Sequence, residues 1–402
     1  MLGLALEGGG AKGAFHIGAI KAFLENGYEF DGVVGTSIGA FNGALVSQGD
    51  FNKLYELWIN LEPSTLFDID DGYMGKMVQS ELSLDMIKYL KNRAKAFIEN
   101  GGIDTGKLRN VLDQLIDEDK LRTSNRDFGM VTVSIPDFKP VEIYKELIPD
   151  GKIKDYIMAS ASFPGFKLCP LDGKYYIDGG IHDNCPVNLL LRKGYDKIIA
   201  IRTSSSDKFS KLDPHNAEII NVLPSEDLGT TLLFTNELIK QNIKLGYYDA
   251  LKVIRGLKGQ RYYIEPVDDE IIWNKLQTLS DEIIFEIGKH LKLPEMNSKR
   301  MLFEKIIPTF ANLLKLSPTA TYQDILIALL EPLATRCSVE KYEIYTLSSF
   351  ITTIEEHLLK ISPSYRKNPH RFKIKRLPLA KLHHPSTEEL AYIMLESFYK
   401  EL

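Results

Sequence analysis

The sequence predicts a three-layer α/β/α fold with a mainly parallel sheet, followed by a helical C-terminal domain. Three observations lead there. Short apolar strands alternate with helical patterns through the first part of the chain. Two of those strands run straight into a glycine-bearing turn and then a helix. Beyond about Pro266 the strands give way to long helical patterns with no motif and no repeat. These place a sheet-containing domain at residues 1–265 and a mainly α-helical accessory domain at 266–402.

Taken in order, Leu2–Glu7 reads as a short buried strand that enters Gly8-Gly9-Gly10-Ala11-Lys12-Gly13. A helix follows from about Ala14 to Glu25, closed by Asn26-Gly27. Phe30–Gly35 is the second strand, and the small residues after Thr36-Ser37 start another helix. Phe51, Leu54, Tyr55 and Trp58 recur at helical spacing behind an Asp50 cap. Glu62–Gly102 reads as an insertion of mixed helix and loop. Phe128–Val133 and Lys197–Arg202 are further core strands, Ala217–Arg255 is mostly helical, and Arg261–Ile264 is a last strand. The C-terminal helices are expected to break at Pro294, Pro308, Pro318 and Pro332.

Bulk properties exclude several classes. The 402 residues are 44% apolar and 26% charged, the balance of an ordinary globular protein. A net charge of −5 gives no global attraction to nucleic acid. Three scattered cysteines (Cys169, Cys185, Cys337) make neither a disulfide framework nor a zinc site and point to a reducing compartment. No basic n-region with an apolar h-region opens the chain, and no apolar run approaches the ~20 residues of a membrane span. A cytoplasmic protein that meets membranes only peripherally is expected.

The chemistry starts at Gly35-Thr36-Ser37-Ile38-Gly39, a G-x-S-x-G between a strand and a helix. A serine on so tight a turn projects from it, Gly35 and Gly39 remove side chains that would clash, and the helix aims its first N–H groups, that of Ile38 included, at charge developing near the serine. The loop Gly8–Gly13 also fits G-x-G-x-x-G, so a dinucleotide site and an oxidoreductase compete. That reading needs an acid at the end of the second strand, whereas Asp31 precedes Val33-Val34 and the strand ends at the Ser37 turn. Without Ser or Thr after Lys12 the loop is no P-loop either. An oxyanion hole made by the N–H groups of Gly8, Gly9 and Gly10 fits better. Lys12 offers positive potential for an anionic head group, although a solvated loop side chain is the plainer reading. Asp178-Gly179-Gly180 follows the strand-like Lys174–Ile177, and taken alone it is a turn.

Together, these three blocks resemble the patatin-like phospholipase family. The resemblance is carried by Gly8–Gly13, by the Ser37 turn, and by Ala159-Ser160-Ala161, Phe163-Pro164, Pro170, Asp172-Gly173, Asp178-Gly179-Gly180, Asn184 and Pro186. Gly246-Tyr247 and Asp249-Ala250 extend it weakly to about residue 255, and the last third of the chain has no part in it. The resemblance implies a Ser–Asp dyad, with Ser37 attacking a fatty acyl ester, Asp178 accepting its proton, and water hydrolysing the acyl-enzyme. Lipid esters, phospholipids or lysophospholipids above all, are the implied substrates, and this chemistry requires neither a metal nor an organic cofactor. A non-catalytic lipid-binding module on the same fold is the alternative, opposed by the intact Ser37 and Asp178.

Other candidates carry less. His182, four residues past Asp178, is better read as a loop residue than as a third member of the site, and His16 as a core-edge residue of the first helix. Asp68, Asp70 and Asp71 before Gly72 hint at a calcium loop but lack its closing glutamate. Between residues 366 and 384, Arg366, Lys367, Arg371, Lys373, Lys375, Arg376 and Lys381 alternate with apolar residues and no acid intervenes. Such a strip suits an anionic bilayer, although a solvated loop with one edge strand has the same composition.

Overall fold

The computed structural model describes residues 1–61, 104–168, 170–209, 211–214 and 216–361. The expected insertion at Glu62–Gly102, the acidic group Asp68, Asp70 and Asp71, Cys169 and the basic strip Arg366, Lys367, Arg371, Lys373, Lys375 and Arg376 lie outside these residues. The chain divides into two compact units, Met1–Val253 and Ile254–Leu402.

The first unit is built from β1 (Leu2–Leu6), α1 (Ala14–Glu25), β2 (Gly32–Thr36), α2 (Ile38–Ser47), α3 (Phe51–Ile59), β3 (Asp127–Ile135), β4 (Pro140–Tyr144), β5 (Tyr175–Asp178), β6 (Lys197–Ile201) and β7 (Glu218–Val222), with further helices between and after them. The strands form one sheet in the order β4-β3-β2-β1-β6-β7, with β5 also paired to β3. β1, β2, β3, β6 and β7 are parallel, whereas β4 and β5 run antiparallel to β3.

Alternation along the strands separates two faces. Leu6, Val33 and Phe128 meet α2 at Gly43. Ala5, Val34, Ile198 and Ala200 turn the other way and pack with Val187, Leu189 and Leu190 of the helix Val187–Arg192. Both faces are therefore covered, which is why these strands read as continuous apolar runs rather than alternating ones. The three-layer α/β/α arrangement expected from the sequence is present.

β3 positions the site. β2 lies along β3 from Asp127 to Val131, with Thr36 opposite Val131. β5 continues the same edge from the opposite direction, with Asp178 opposite Thr132; β4 already occupies the other edge there. Two strands of opposite direction thus bring their carboxyl ends together on neighbouring residues of one strand.

Two expectations about strands are corrected. Within the stretch expected to be mostly helical, Glu218–Val222 is a strand and the helix begins at Asn236. Ile219, Ile220 and Val222 are β-branched and lie parallel to β6, so pleated packing prevails over the helical reading. The strand expected at Arg261–Ile264 is reduced to β8 (Tyr263–Ile264). It pairs with β9 (Ile344–Tyr345) in the second unit, not with the main sheet.

The second unit packs its helices around fully buried Ile284, Ile287, Leu302, Leu330 and Phe350. Pro332 sits inside the helix Tyr322–Arg336 instead of ending it. Its neighbours Leu330, Leu333 and Ala334 are buried on the core side, and that packing outweighs the lost backbone bond. No described helix is long and apolar enough to cross a membrane.

Candidate active site

Ser37 occupies the junction of β2 and α2 with φ 58° and ψ −124°. A non-glycine residue adopts positive φ only when its surroundings enforce it, and here the surroundings do. The N–H of Ser37 donates to the Ser160 hydroxyl at 2.9 Å, and Ser160 donates onward to the Val131 carbonyl at 2.7 Å. Where β2 ends, a side chain thus replaces the missing strand partner. The flanking glycines are required by close approach: a Cβ on Gly35 would fall on the backbone of Gly39, and one on Gly39 would strike the Leu6 carbonyl.

Asp178 is 1% exposed at the end of β5. Its N–H donates to the Ser162 carbonyl at 2.9 Å, and its Oδ1 accepts from the Gly180 N–H at 2.8 Å. The Ser37 hydroxyl, in the same cleft, favours the ionised form of this carboxylate. Burial raises the Asp178 pKa to about 6, while the Ser37 hydroxyl and the Gly180 N–H pull it down less. Gly179 has no room for a side chain against the Val131 carbonyl, so the Asp-Gly-Gly turn lets β5 close onto β3.

The glycine loop faces this pair. Gly8, Gly9, Gly10, Lys12 and Ile38 line the same cleft as Ser37 and Asp178. Gly8 differs from its expected role, since its N–H donates to the Asn184 carbonyl at 2.9 Å. The N–H groups of Gly9, Gly10 and Ile38 have no acceptor among the described residues. Gly10 has φ 54°, and a side chain there would meet the Thr231 carbonyl. Gly13 closes the loop, its carbonyl accepting from Asn42 Nδ2 at 3.2 Å.

The cleft has a volume of about 290 Å³ and an apolar wall drawn from distant segments, including Phe41, Trp58, Leu112, Ile157, Phe163 and Phe234. Trp58 stacks on Phe234 with ring centroids 6.4 Å apart. Its Nε1 donates to Asn42 Oδ1 at 3.0 Å. Because indole is a donor only, this bond fixes which way the Asn42 amide faces. Asn42 Nδ2 must then donate to His16 Nδ1 at 3.3 Å, leaving the proton of the imidazole on Nε2. His16 is wholly buried, and burial holds its pKa down to about 3, so it is neutral.

The family model described as patatin-like phospholipase matches residues 4–191. This stretch is a patatin-like phospholipase domain. Its relatives include Lysophospholipase nte1 of Aspergillus fumigatus, 31% identical over 209 residues, which are 51% of this chain and 12% of that protein. Patatin-like phospholipase domain-containing protein 6 of Homo sapiens is 30% identical over 211 residues, 52% of this chain and 14% of its own length. The match thus spans about an eighth of these curated relatives. Among solved structures, VipD from Legionella pneumophila aligns over 89% of this chain and 80% of its own, with 17% identity and a TM-score of 0.40.

Several residues around the site were given no role in the sequence. Glu7, Ser160 and Asn42 hold the site from behind, and Thr203 lines the cleft. Ser160 stood out only as part of the resemblance, and Glu7 only as an acid ending an otherwise apolar strand beside the glycines. His182 does not line the cleft and lies 3.6 Å from Glu142. Asp183, a second carboxylate raised to about 6 by burial, also stays outside the cleft and accepts from the Cys185 N–H at 3.2 Å.

Proposed function

We propose that the patatin-like domain hydrolyses fatty acyl esters of lipids through an acyl-enzyme on Ser37. The observation that carries this reading is that Ser37, on its positive-φ turn, and the buried Asp178 share one apolar cleft. Ser37 Oγ attacks the ester carbonyl carbon as its proton passes to Asp178. The oxyanion is held by the N–H groups of Gly9, Gly10 and Ile38. When the carbonyl re-forms, the ester C–O bond breaks and Asp178 returns the proton to the departing alcohol. Water then attacks the acyl-serine, giving its proton to Asp178, and Ser37 Oγ leaves with that proton as the fatty acid is released. A carboxylate with a pKa near 6 is ionised at neutral pH, yet is a better proton acceptor than an ordinary aspartate.

The size of the cleft favours one acyl chain. At about 290 Å³ it lies at the small end of ligand pockets, which run roughly 300–1,000 Å³. A monoacyl glycerophospholipid is the preferred substrate in this reading, in keeping with the lysophospholipase names of the relatives. Contact with an anionic bilayer through Arg366, Lys367, Arg371, Lys373, Lys375 and Arg376 belongs to the same proposal and rests on sequence alone. Liposome binding that survives Lys373→Glu, Lys375→Glu and Arg376→Glu together removes that part.

The deciding experiment is fluorophosphonate labelling together with fatty acid release from a monoacyl glycerophosphocholine. Labelling and release that both vanish in Ser37→Ala support the reading. A folded wild type that neither labels nor releases fatty acid overturns it and leaves lipid binding without catalysis.

A further inference from the structure

The direction of the Gly9 N–H is controlled from outside the glycine loop. A Gly-Gly peptide has no Cβ to restrict it and turns over more easily than any other. An oxyanion donor, however, works only while it points at the oxyanion. The Gly8–Gly9 peptide is trans, so the Gly8 carbonyl and the Gly9 N–H point in opposite directions. Whatever grips the carbonyl therefore aims the N–H.

The closer grip is the Thr203 hydroxyl, which donates to the Gly8 carbonyl at 2.5 Å, while Asn184 Nδ2 donates to the same oxygen at a longer 3.3 Å. Thr203 is itself immobilised just past the end of β6. Its N–H donates to Glu7 Oε2 at 2.6 Å, and the Ser204 N–H donates to the same oxygen at 3.0 Å. Glu7 is paired in turn with Arg202 at 3.0 Å, and both are 4% exposed. The Thr203 hydroxyl has one proton and two acceptors within reach. Glu7 Oε2 lies at 3.4 Å against 2.5 Å for the Gly8 carbonyl, so the carbonyl takes the proton. On the other side of Gly8, the preceding peptide is pinned by its own N–H to the Asn184 carbonyl. A side chain on Gly9 would come within 2.6 Å of Thr203 Oγ1, so this close contact needs glycine there.

We propose that Thr203 is a positioning residue for catalysis: its hydroxyl locks the Gly8–Gly9 peptide so that the Gly9 N–H faces the oxyanion, and the Glu7–Arg202 pair holds the lock in place. This rests on the acyl-hydrolase reading for its effect on rate, but not for its geometry. Thr203→Val keeps the shape and removes the hydroxyl, whereas Thr203→Ser keeps the hydroxyl and removes the methyl group. The first is expected to lower kcat for a monoacyl glycerophosphocholine by about 10²-fold or more, the typical effect of losing one oxyanion donor, with KM close to that of the wild type. The second is expected to retain most of kcat. A valine variant with wild-type kcat, or a serine variant as impaired as the valine one, overturns the proposal. If the valine variant does not fold, Thr203→Ala is judged by the same criteria. A crystal structure of the valine variant decides the lock independently of turnover: a turned or disordered Gly8 carbonyl supports it, and one that keeps its direction overturns it. A wild type without hydrolytic activity would thus remove the acyl-hydrolase reading and still leave the lock to be decided.

Discussion

Ser37 and Ser160 are joined by a hydrogen bond of 2.9 Å from the amide of the first to the hydroxyl of the second. Ser160 closes the last helical turn before the loop that leads to β5, and its own proton goes to Val131 on β3. One small side chain thus ties the strained turn of the candidate nucleophile to the strand that orders the whole site. Ser160→Ala leaves a buried N–H and a buried carbonyl each without this partner, which costs ~1–3 kcal/mol. A lower urea midpoint together with slower ester hydrolysis is expected. Unchanged values for both would show that the turn supports itself.

The proposed role of Asp178 as base sets the pH dependence expected of hydrolysis. With its pKa raised to about 6 by burial, kcat/KM is expected to climb with pH, reach half its plateau near pH 6, and stay level above that until other groups titrate. A profile with its midpoint near pH 4 would mean that the base is a solvated carboxylate.

Stability should move against activity at the same residue. A carboxyl whose pKa is higher folded than unfolded favours the native state while protonated, and that advantage fades as pH rises from about 4 to about 6. Above pH 6 the buried anion burdens the fold by roughly two pKa units, about 3 kcal/mol. Asp178→Asn is therefore expected to be inactive and more stable than wild type at pH 7.5, with the difference shrinking towards pH 4. Chemical denaturation at the two pH values measures it, and a variant less stable at pH 7.5 would contradict the assignment.

His16 acts in the opposite sense. Its pKa falls from 6.5 to about 3 on folding, so the unfolded chain binds the extra proton between these values and stability declines as pH drops through that window. The slope is ~1.4 kcal/mol per pH unit for one proton. His16→Leu should remove this contribution, giving a flatter acid limb in urea unfolding between pH 6 and pH 4. An equally steep limb would place the acid sensitivity elsewhere.

The wall of the cleft can be probed at Trp58. Trp58→Phe keeps an aromatic ring against Phe234 and loses the donor to Asn42 Oδ1. A buried acceptor without a partner costs ~1–3 kcal/mol, and the smaller ring enlarges the cleft. Specificity measured over esters of increasing acyl length should shift towards longer chains. An unaltered length profile would show that Trp58 does not bound the acyl chain.

Glycines made much of the site readable in advance. Gly35, Gly39 and Gly179 each lie where any side chain would strike backbone, so their spacing records how closely strands and helices approach. The parallel core was readable from unbroken apolar runs such as Leu4–Leu6 and Ile198–Ile201. What stayed hidden depends on partners distant in the chain. Thr203 and Ser160 act on main-chain atoms of Gly8 and Val131; Ser160 stood in the resemblance, but nothing in a serine or threonine announces its backbone partner. The strand Glu218–Val222 escaped because five residues carry too little periodicity to separate a strand from the helix that follows.

The meeting of β2 and β5 on one edge of β3 also sets an order of events during synthesis. Ser37 and its turn leave the ribosome long before Asp178, and β3 must be in place before either strand can be aligned with it. On the proposed mechanism, a nascent chain would carry its nucleophile without a base until β5 docks, and a product cut short before residue 178 would be chemically silent. On the proposed reaction, hydrolytic competence would arrive only once β5 has docked, so the chain would be disarmed towards lipids while the first four strands are being made.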